Sequence, residues 1–329
     1  MPLRAAREAG AALSRALAAL LGAAALAACA ALPGGDAPPA AQEAARPGGA
    51  LLYVESIAGG PEGNAVTGVR QLRLQRPVAV AVRDRWVYIL DAGQDLVLRY
   101  DRMSGRLARV LELRGLLAGE EPADLYVAED RSLYVADTRG ARVLHFDARG
   151  RRLRTFSDTF NLARPAALAV DPATRDLYVA DAVYDHVLVF GLTGKLRRAL
   201  GGRGTGQGEF LNLSGLALDG GEVFVTARLG VRGQVLGLDG RFRRAFGERV
   251  LIFPRAVAVG EGRIFVADWH DNSIKIFSRR DGRPLAVFGG TGVAPGRFKG
   301  LTDLWYESGL LYVADSLNGR IQVFRVPAR

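Results

Sequence analysis

LYVAD occurs at Leu133–Asp137, again at Leu177–Asp181 and a third time at Leu311–Asp315. Near copies stand at Val87–Asp91 (VYILD), Val223–Ala227 (VFVTA) and Ile264–Asp268 (IFVAD). Aligned on the fifth letter, the six copies fall at Asp91, Asp137, Asp181, Ala227, Asp268 and Asp315, a period of about 45 residues. Around each copy the chain writes short apolar runs rich in Val, Leu, Tyr and Phe, separated by Gly, Asp and Pro. These are strand and turn signals, and no helical periodicity competes with them.

Each unit contains four such runs. A first strand such as VAVAV, AALAV or AVAVG precedes the LYVAD strand. A third such as RVLHF, SIKIF or RIQVF follows, and then an arginine-rich fourth such as RRLRTF or RFRRAF. Four strands at this period predict an all-β, six-bladed β-propeller spanning 51–327. LYVAED at Leu125–Asp130 lies too close to Leu133 to open another blade and reads as a first strand. The last unit has only three strands, so Leu51–Ala58 is expected to supply the fourth and remove the exposed sheet edges of an open ring. GGPEGNAVTG after that strand parallels the glycine-rich interblade loops at Gly201–Phe210 and Gly289–Phe298. The turn aspartates are expected to accept backbone N–H groups, with Arg142 and Arg320 placed to pair with Asp137 and Asp315.

YVADSLNGRIQVF at Tyr312–Phe324, the FGGTG…GRF loop at Phe288–Phe298 and the Pro-opened first strands resemble NHL repeats. The resemblance covers Leu51–Val326. It is weakest in the fourth blade, where Ala227 replaces the aspartate and the next turn is longer.

The front end differs from the rest. Arg4, Arg7 and Arg15 precede an apolar run of thirteen residues, Ala16–Ala28, too short to cross a bilayer comfortably. The run ends in LAAC at Leu26–Cys29, which resembles the bacterial lipobox. That resemblance implies a signal peptide over 1–28, a diacylglycerol thioether on Cys29, an Ala/Pro/Gly-rich linker over 29–50 and a lipid anchor on the bilayer. Cys29 is the only cysteine, which suits an exported chain whose single thiol is consumed by lipid. Ala30 is not the retention aspartate of enteric lipoproteins, so the outer membrane of a bacterial cell envelope is expected in preference to the inner one.

The net charge of +10 is carried almost wholly by arginine; the lysines are Lys195, Lys275 and Lys299. With Ala and Gly also abundant, this is what a GC-rich genome writes, so net charge does not by itself assign an anionic partner. For an exported chain nucleic acid is not the expected ligand. His145, His186 and His270 have neither metal-ligand spacing nor equivalent repeat positions. No metal ligand set, catalytic triad or phosphate loop can be placed, and no cofactor beyond the lipid is expected.

Departures from the repeat mark a candidate site. The third position of the first strands is Ala79, Asp124, Ala167, Gly215, Ala256 and Asp303. Two residues on it is Ala81, Tyr126, Ala169, Ala217, Ala258 and Trp305. Blades 2 and 6 replace small residues by Asp and an aromatic, on either side of blade 1. Asp124, Tyr126, Asp303 and Trp305 therefore make a candidate polar notch beside the channel; the competing reading is that the carboxylates cap backbone amides and the aromatics fill gaps.

Strand order also places the second-to-third-strand turns and the interblade loops on one face. That face is expected to carry Arg76, Arg164, Phe253 and Lys299 from the loops, and Arg139, Tyr184, Arg228, Arg232, Trp269 and His270 from the turns. Arginines beside exposed aromatics suit contacts with a protein or an envelope polysaccharide. The expectation is a non-enzymatic binding scaffold. The alternative is a hydrolase or lyase of six-bladed type with a metal near the channel.

Overall fold

The computed structural model describes residues 51–64, 68–119 and 122–328. Residues 1–50, on which the expected signal peptide, lipidated Cys29 and linker fall, lie outside the described residues. Six four-stranded antiparallel sheets form a propeller ring, with no α-helix among the described residues. Blade 1 begins at Pro77–Arg83, blade 2 at Pro122–Val127, blade 3 at Pro165–Val170, blade 4 at Leu213–Asp219, blade 5 at Pro254–Gly260 and blade 6 at Leu301–Glu307. Blade 6 draws its outer strand from the other end of the domain. Leu52–Ile57 lies antiparallel to Arg320–Arg325, pairing Tyr53 with Phe324 and Ile57 with Ile321.

The repeated pentapeptide is explained by what its side chains touch. In blade 3, Leu177 and Val179 point into the core shared with blade 2, while Tyr178 and Ala180 point into the core shared with blade 4. Blade 6 repeats this, with Leu311 and Val313 facing blade 5 and Tyr312 and Ala314 facing blade 1. Alternation thus serves two interfaces, and a blade buries both faces only between neighbours. Six core clusters fill the six interfaces, including the one between blades 6 and 1, so the ring is closed by packing as well as by pairing.

The aspartate ending the motif does more than close its own turn. Asp181 accepts the N–H groups of Val183 and Tyr184 in the turn and of Ala163 and Arg164 in the loop entering the same blade, at 2.6–2.8 Å. Asp91 and Asp268 likewise hold both segments. Arg142 donates to Asp137 at 2.8 Å and Arg320 to Asp315 at 2.7 Å, as the five-residue spacing predicts. The arginine's far end also takes an interblade carbonyl, Leu116 for Arg142. In blade 3 His186 fills that place, its Nε2 lying 2.6 Å from the Asn161 carbonyl.

One segment departs from expectation. GGPEGNAVTG is not a copy of the other glycine-rich loops, which close with short parallel bridges. Gly59–Asn64 and Gly68–Arg73 instead form an antiparallel hairpin. Its Glu62 pairs with Arg109 of blade 1 at 3.1 Å, and Leu72 and Leu74 enter the core between blades 6 and 1.

Candidate functional site

Every inner strand breaks register with its neighbour near its start, at the residue just before the small-residue column. In blades 1, 3, 4, 5 and 6 the residue skipped is Val78, Ala166, Ser214, Arg255 and Thr302. Such bulges bend a strand and re-aim its side chains. The column residue that follows points at the backbone of the next blade. A Cβ on Gly215 would stand 3.0 Å from the Ala256 Cα and 3.1 Å from the Val257 nitrogen. This explains the small residues in four blades.

In the two exceptional blades the carboxylate uses that same direction. Asp303 accepts the Val80 N–H of blade 1 at 2.8 Å and Asp124 the Leu168 N–H of blade 3 at 2.8 Å. Each also accepts the next N–H of its own strand, at Leu304 and Leu125. The inner edge of a propeller blade has no further strand to satisfy these amides, so capping them is a gain in itself. This is the arrangement that the amide-capping reading expects, and the notch reading shares the same residues.

The aromatics converge. Trp305 packs against the cores on both sides of blade 1 and its ring reaches 5.6 Å from that of Tyr126. Tyr126 continues the arc, donating its hydroxyl to the Val170 carbonyl of blade 3 at 3.2 Å. Together they cover the inner edge of blade 1. An axial cavity of about 590 Å³ is consequently lined by the inner strands of blades 2 to 6, with only Arg83 from blade 1.

The electrostatics of the cavity are unusual. Burial, with Val80, Leu304 and Arg255 opposing it, pushes the Asp303 carboxyl up to about 7. Asp124 is raised well above the ordinary carboxylate range, first by burial and then by the charge on Asp303, so the two carboxyls sense each other across the channel. Two buried donors in the wall, Trp305 Nε1 and Arg83 Nε, have no hydrogen-bond partner among the described residues. At one end stand Glu129, Asp219, Glu261 and Glu307. Toward the other stands Arg255. The cavity can therefore offer carboxyls, an indole donor and guanidinium groups to a polar ligand. No three His, Cys, Asp or Glu side chains among the described residues converge as metal ligands.

The proposed interaction residues all lie on the loop face. Arg228 lies over Phe253, 5.5 Å from the ring centroid, and Phe253 is 5.8 Å from Trp269. Tyr184 is half exposed beside His186. Arg232 donates to the Thr205 and Gly206 carbonyls and lies 3.6 Å from Glu248, so it serves as a loop clamp. Arg76 reaches only the Ala92 carbonyl, at 3.4 Å. Arg139 packs over Gly119, and Arg164 is exposed. Lys299 and His270 give their backbone N–H groups to Asp315 and Asp268. Arg255 is the residue that sequence reading passed over. Its signal was present in the column Val78, Ala123, Ala166, Ser214, Arg255 and Thr302, where it is the one charge.

Comparison with known proteins adds the fold alone. No family model matches the chain, and no curated protein does. Among solved structures, a nidogen/laminin complex shares 19% identity over 73% of this chain and 93% of the matched chain, with a TM-score of 0.57. The computationally designed Ika8 protein shares 16% identity over 78% of this chain and 72% of its own, with a TM-score of 0.50. At these identities the likeness is one of architecture, and what the protein does must be argued from its own residues.

Proposed function

We propose that this is an NHL-type propeller lipoprotein of the bacterial envelope, held by lipid on Cys29, and that it is a non-enzymatic scaffold docking an envelope protein or polysaccharide on its loop face. The observation that carries the reading is the placement of exposed apolar side chains. Of the seventeen large hydrophobic residues exposed among the described residues, nine lie in the interblade loops and second-to-third-strand turns, including Phe160, Leu229, Trp269 and Leu317. Only Met103 and Leu192 lie in the opposite turns. Scattered exposure is ordinary, whereas concentration on one face marks a contact surface.

Chain direction supports the same orientation. The first strand begins at Leu52, opposite Arg325, and Val326 donates to the Gly309 carbonyl in the first-to-second-strand turn. The chain therefore enters the propeller on the side opposite the loop face. A lipid anchor preceding that entry point would leave the loop face free for a partner. The hydrolase or lyase alternative lacks a convergent metal-ligand set among the described residues.

Photo-crosslinkers placed at Leu229 and Trp269, and at Met103 and Leu192 as controls, test the docking face in native membranes. A discrete adduct from the first pair alone is expected; equal adducts from both pairs would remove the reading. Intact-mass measurement should show the diacylglyceryl addition, and Cys29→Ser should release the protein from the membrane fraction.

A further inference from the structure

Four arginines stand on the loop face at the inner-strand ends of their blades, and Arg255 lines the channel itself. Arg76 and Arg164 immediately precede the inner strands of blades 1 and 3, and Arg255 occupies the bulge of blade 5. Arg228 opens the turn after Ala227, tied by its backbone N–H to the Asn212 carbonyl beside the start of blade 4's inner strand. Their charges reach one another: Arg228 is repelled by Arg255 and Arg164, and Arg255 by Arg76.

Several arginines elsewhere have carboxylates, although others, such as Arg154 and Arg297, reach only carbonyls. Arg142, Arg197, Arg244 and Arg320 all have a carboxylate within 3.0 Å. None of the four on the loop face is in an ion pair within the described residues. Arg76 has one long contact to a carbonyl, and Arg228 has one to Asn212 Oδ1 at 3.3 Å, its buried Nε without an acceptor. Neither Arg164 nor Arg255 directs its guanidinium to a hydrogen-bond acceptor among the described residues. The one carboxyl facing Arg255 is Asp303, which offsets at most one of four charges. Burial first, and then the charges on Arg255 and Arg164, lower Arg228 to about 10.

We infer that Arg76, Arg164, Arg228 and Arg255 form a receptor for a phosphate monoester or comparable phosphate dianion at this end of the channel. Like charges gathered without carboxylate partners repel one another and are relieved by a counter-charge, and a monocarboxylate would leave most of this charge uncancelled. The planar guanidinium fork matches the oxygens of a phosphate, and forks offered from several blades suit its tetrahedral shape. Phe253 beneath Arg228 helps hold that guanidinium in place. The inference does not rest on the docking reading, because the site takes its ligand whether or not a partner covers the face.

The test is calorimetric titration of inorganic phosphate and pyrophosphate into the full chain in non-ionic detergent at low ionic strength, where screening is weak. Saturable one-site binding is expected, weakened at least tenfold in Arg255→Gln and in Arg228→Gln and unchanged in Arg85→Gln, an exposed arginine remote from these four. Circular dichroism checks folding; should a buried variant fail it, the exposed Arg164→Gln gives the same readout. Competition by phosphatidic acid vesicles, with phosphatidylglycerol vesicles inactive, assigns the monoester to a lipid headgroup. Failure of both vesicles to compete assigns it to a soluble phosphate. Absence of saturable pyrophosphate binding, or equal affinity in the wild type and the arginine variants, overturns the site.

Discussion

Trp305 of blade 6 and Tyr126 of blade 2 stand 5.6 Å apart, ring to ring, although a whole blade separates their strands. Trp305 makes this reach by lying across the inner edge of blade 1, in contact with the cores on both of its sides. The pair turns a symmetric channel into an eccentric one, open to the inner strands of blades 2 to 6 and closed to all of blade 1 but Arg83. Trp305→Ala should enlarge the cavity toward Ala81 and destabilise the fold by about 3 kcal/mol, the bottom of the range for losing a large aromatic because the ring is only partly buried. Trp305→Phe should recover most of that. Urea unfolding of the two variants checks it.

Asp303 and Asp124 set a pH dependence of stability. Both carboxyls are raised in the folded state, Asp303 to about 7, so between about pH 4 and pH 7 the folded protein holds protons that the unfolded chain has released. Their contribution therefore falls as pH rises through that window. The wild type should lose on the order of 2 kcal/mol from these groups between pH 5 and pH 8, discounted for their partial exposure to the channel. Asp124→Asn with Asp303→Asn should flatten that slope, although each asparagine weakens one backbone contact. Denaturant midpoints of both proteins across pH 4.5–8.5 decide it, and a parallel slope in the variant would refute the assignment.

The stitching role of the motif aspartate is tested at Asp181, which is fully buried and accepts four backbone N–H groups. Asp181→Ala leaves those donors without an acceptor and should cost about 3–5 kcal/mol, well beyond the cost of one surface hydrogen bond. Hydrogen exchange should accelerate at Ala163, Arg164, Val183 and Tyr184 together, since one group holds both segments.

Gly215 tests the close approach of neighbouring blades. Its φ does not demand glycine; the obstacle is space, with Thr226 Oγ1 2.7 Å and the Ala256 Cα 3.0 Å from an added Cβ. Gly215→Ala should destabilise by about 1–3 kcal/mol through overpacking. The same change from small to large is native at the equivalent positions of blades 2 and 6, which have room for a carboxylate. Thermal unfolding of the variant measures the difference.

Much of this molecule is legible from its residues in order. The period of LYVAD determines six blades, its alternation determines two buried faces per strand, and the missing fourth strand of blade 6 sends the reader to Leu52–Ile57. These are local patterns repeated, and a repeat protein is held together by near-identical neighbour contacts. The aspartates and aromatics of blades 2 and 6 were visible for the same reason, as breaks in a column. What the line of letters could not settle was direction. That Asp303 caps Val80, that Trp305 meets Tyr126 across blade 1, and that Gly59–Asn64 and Gly68–Arg73 pair as a hairpin against blade 1 all depend on blade twist and interblade spacing. Four arginines drawn from blades 1, 3, 4 and 5 share a neighbourhood only because the ring closes and its bulges turn Arg255 toward the axis. Charge acts through space, and the distances along the chain between Arg76, Arg164, Arg228 and Arg255 carry no trace of it.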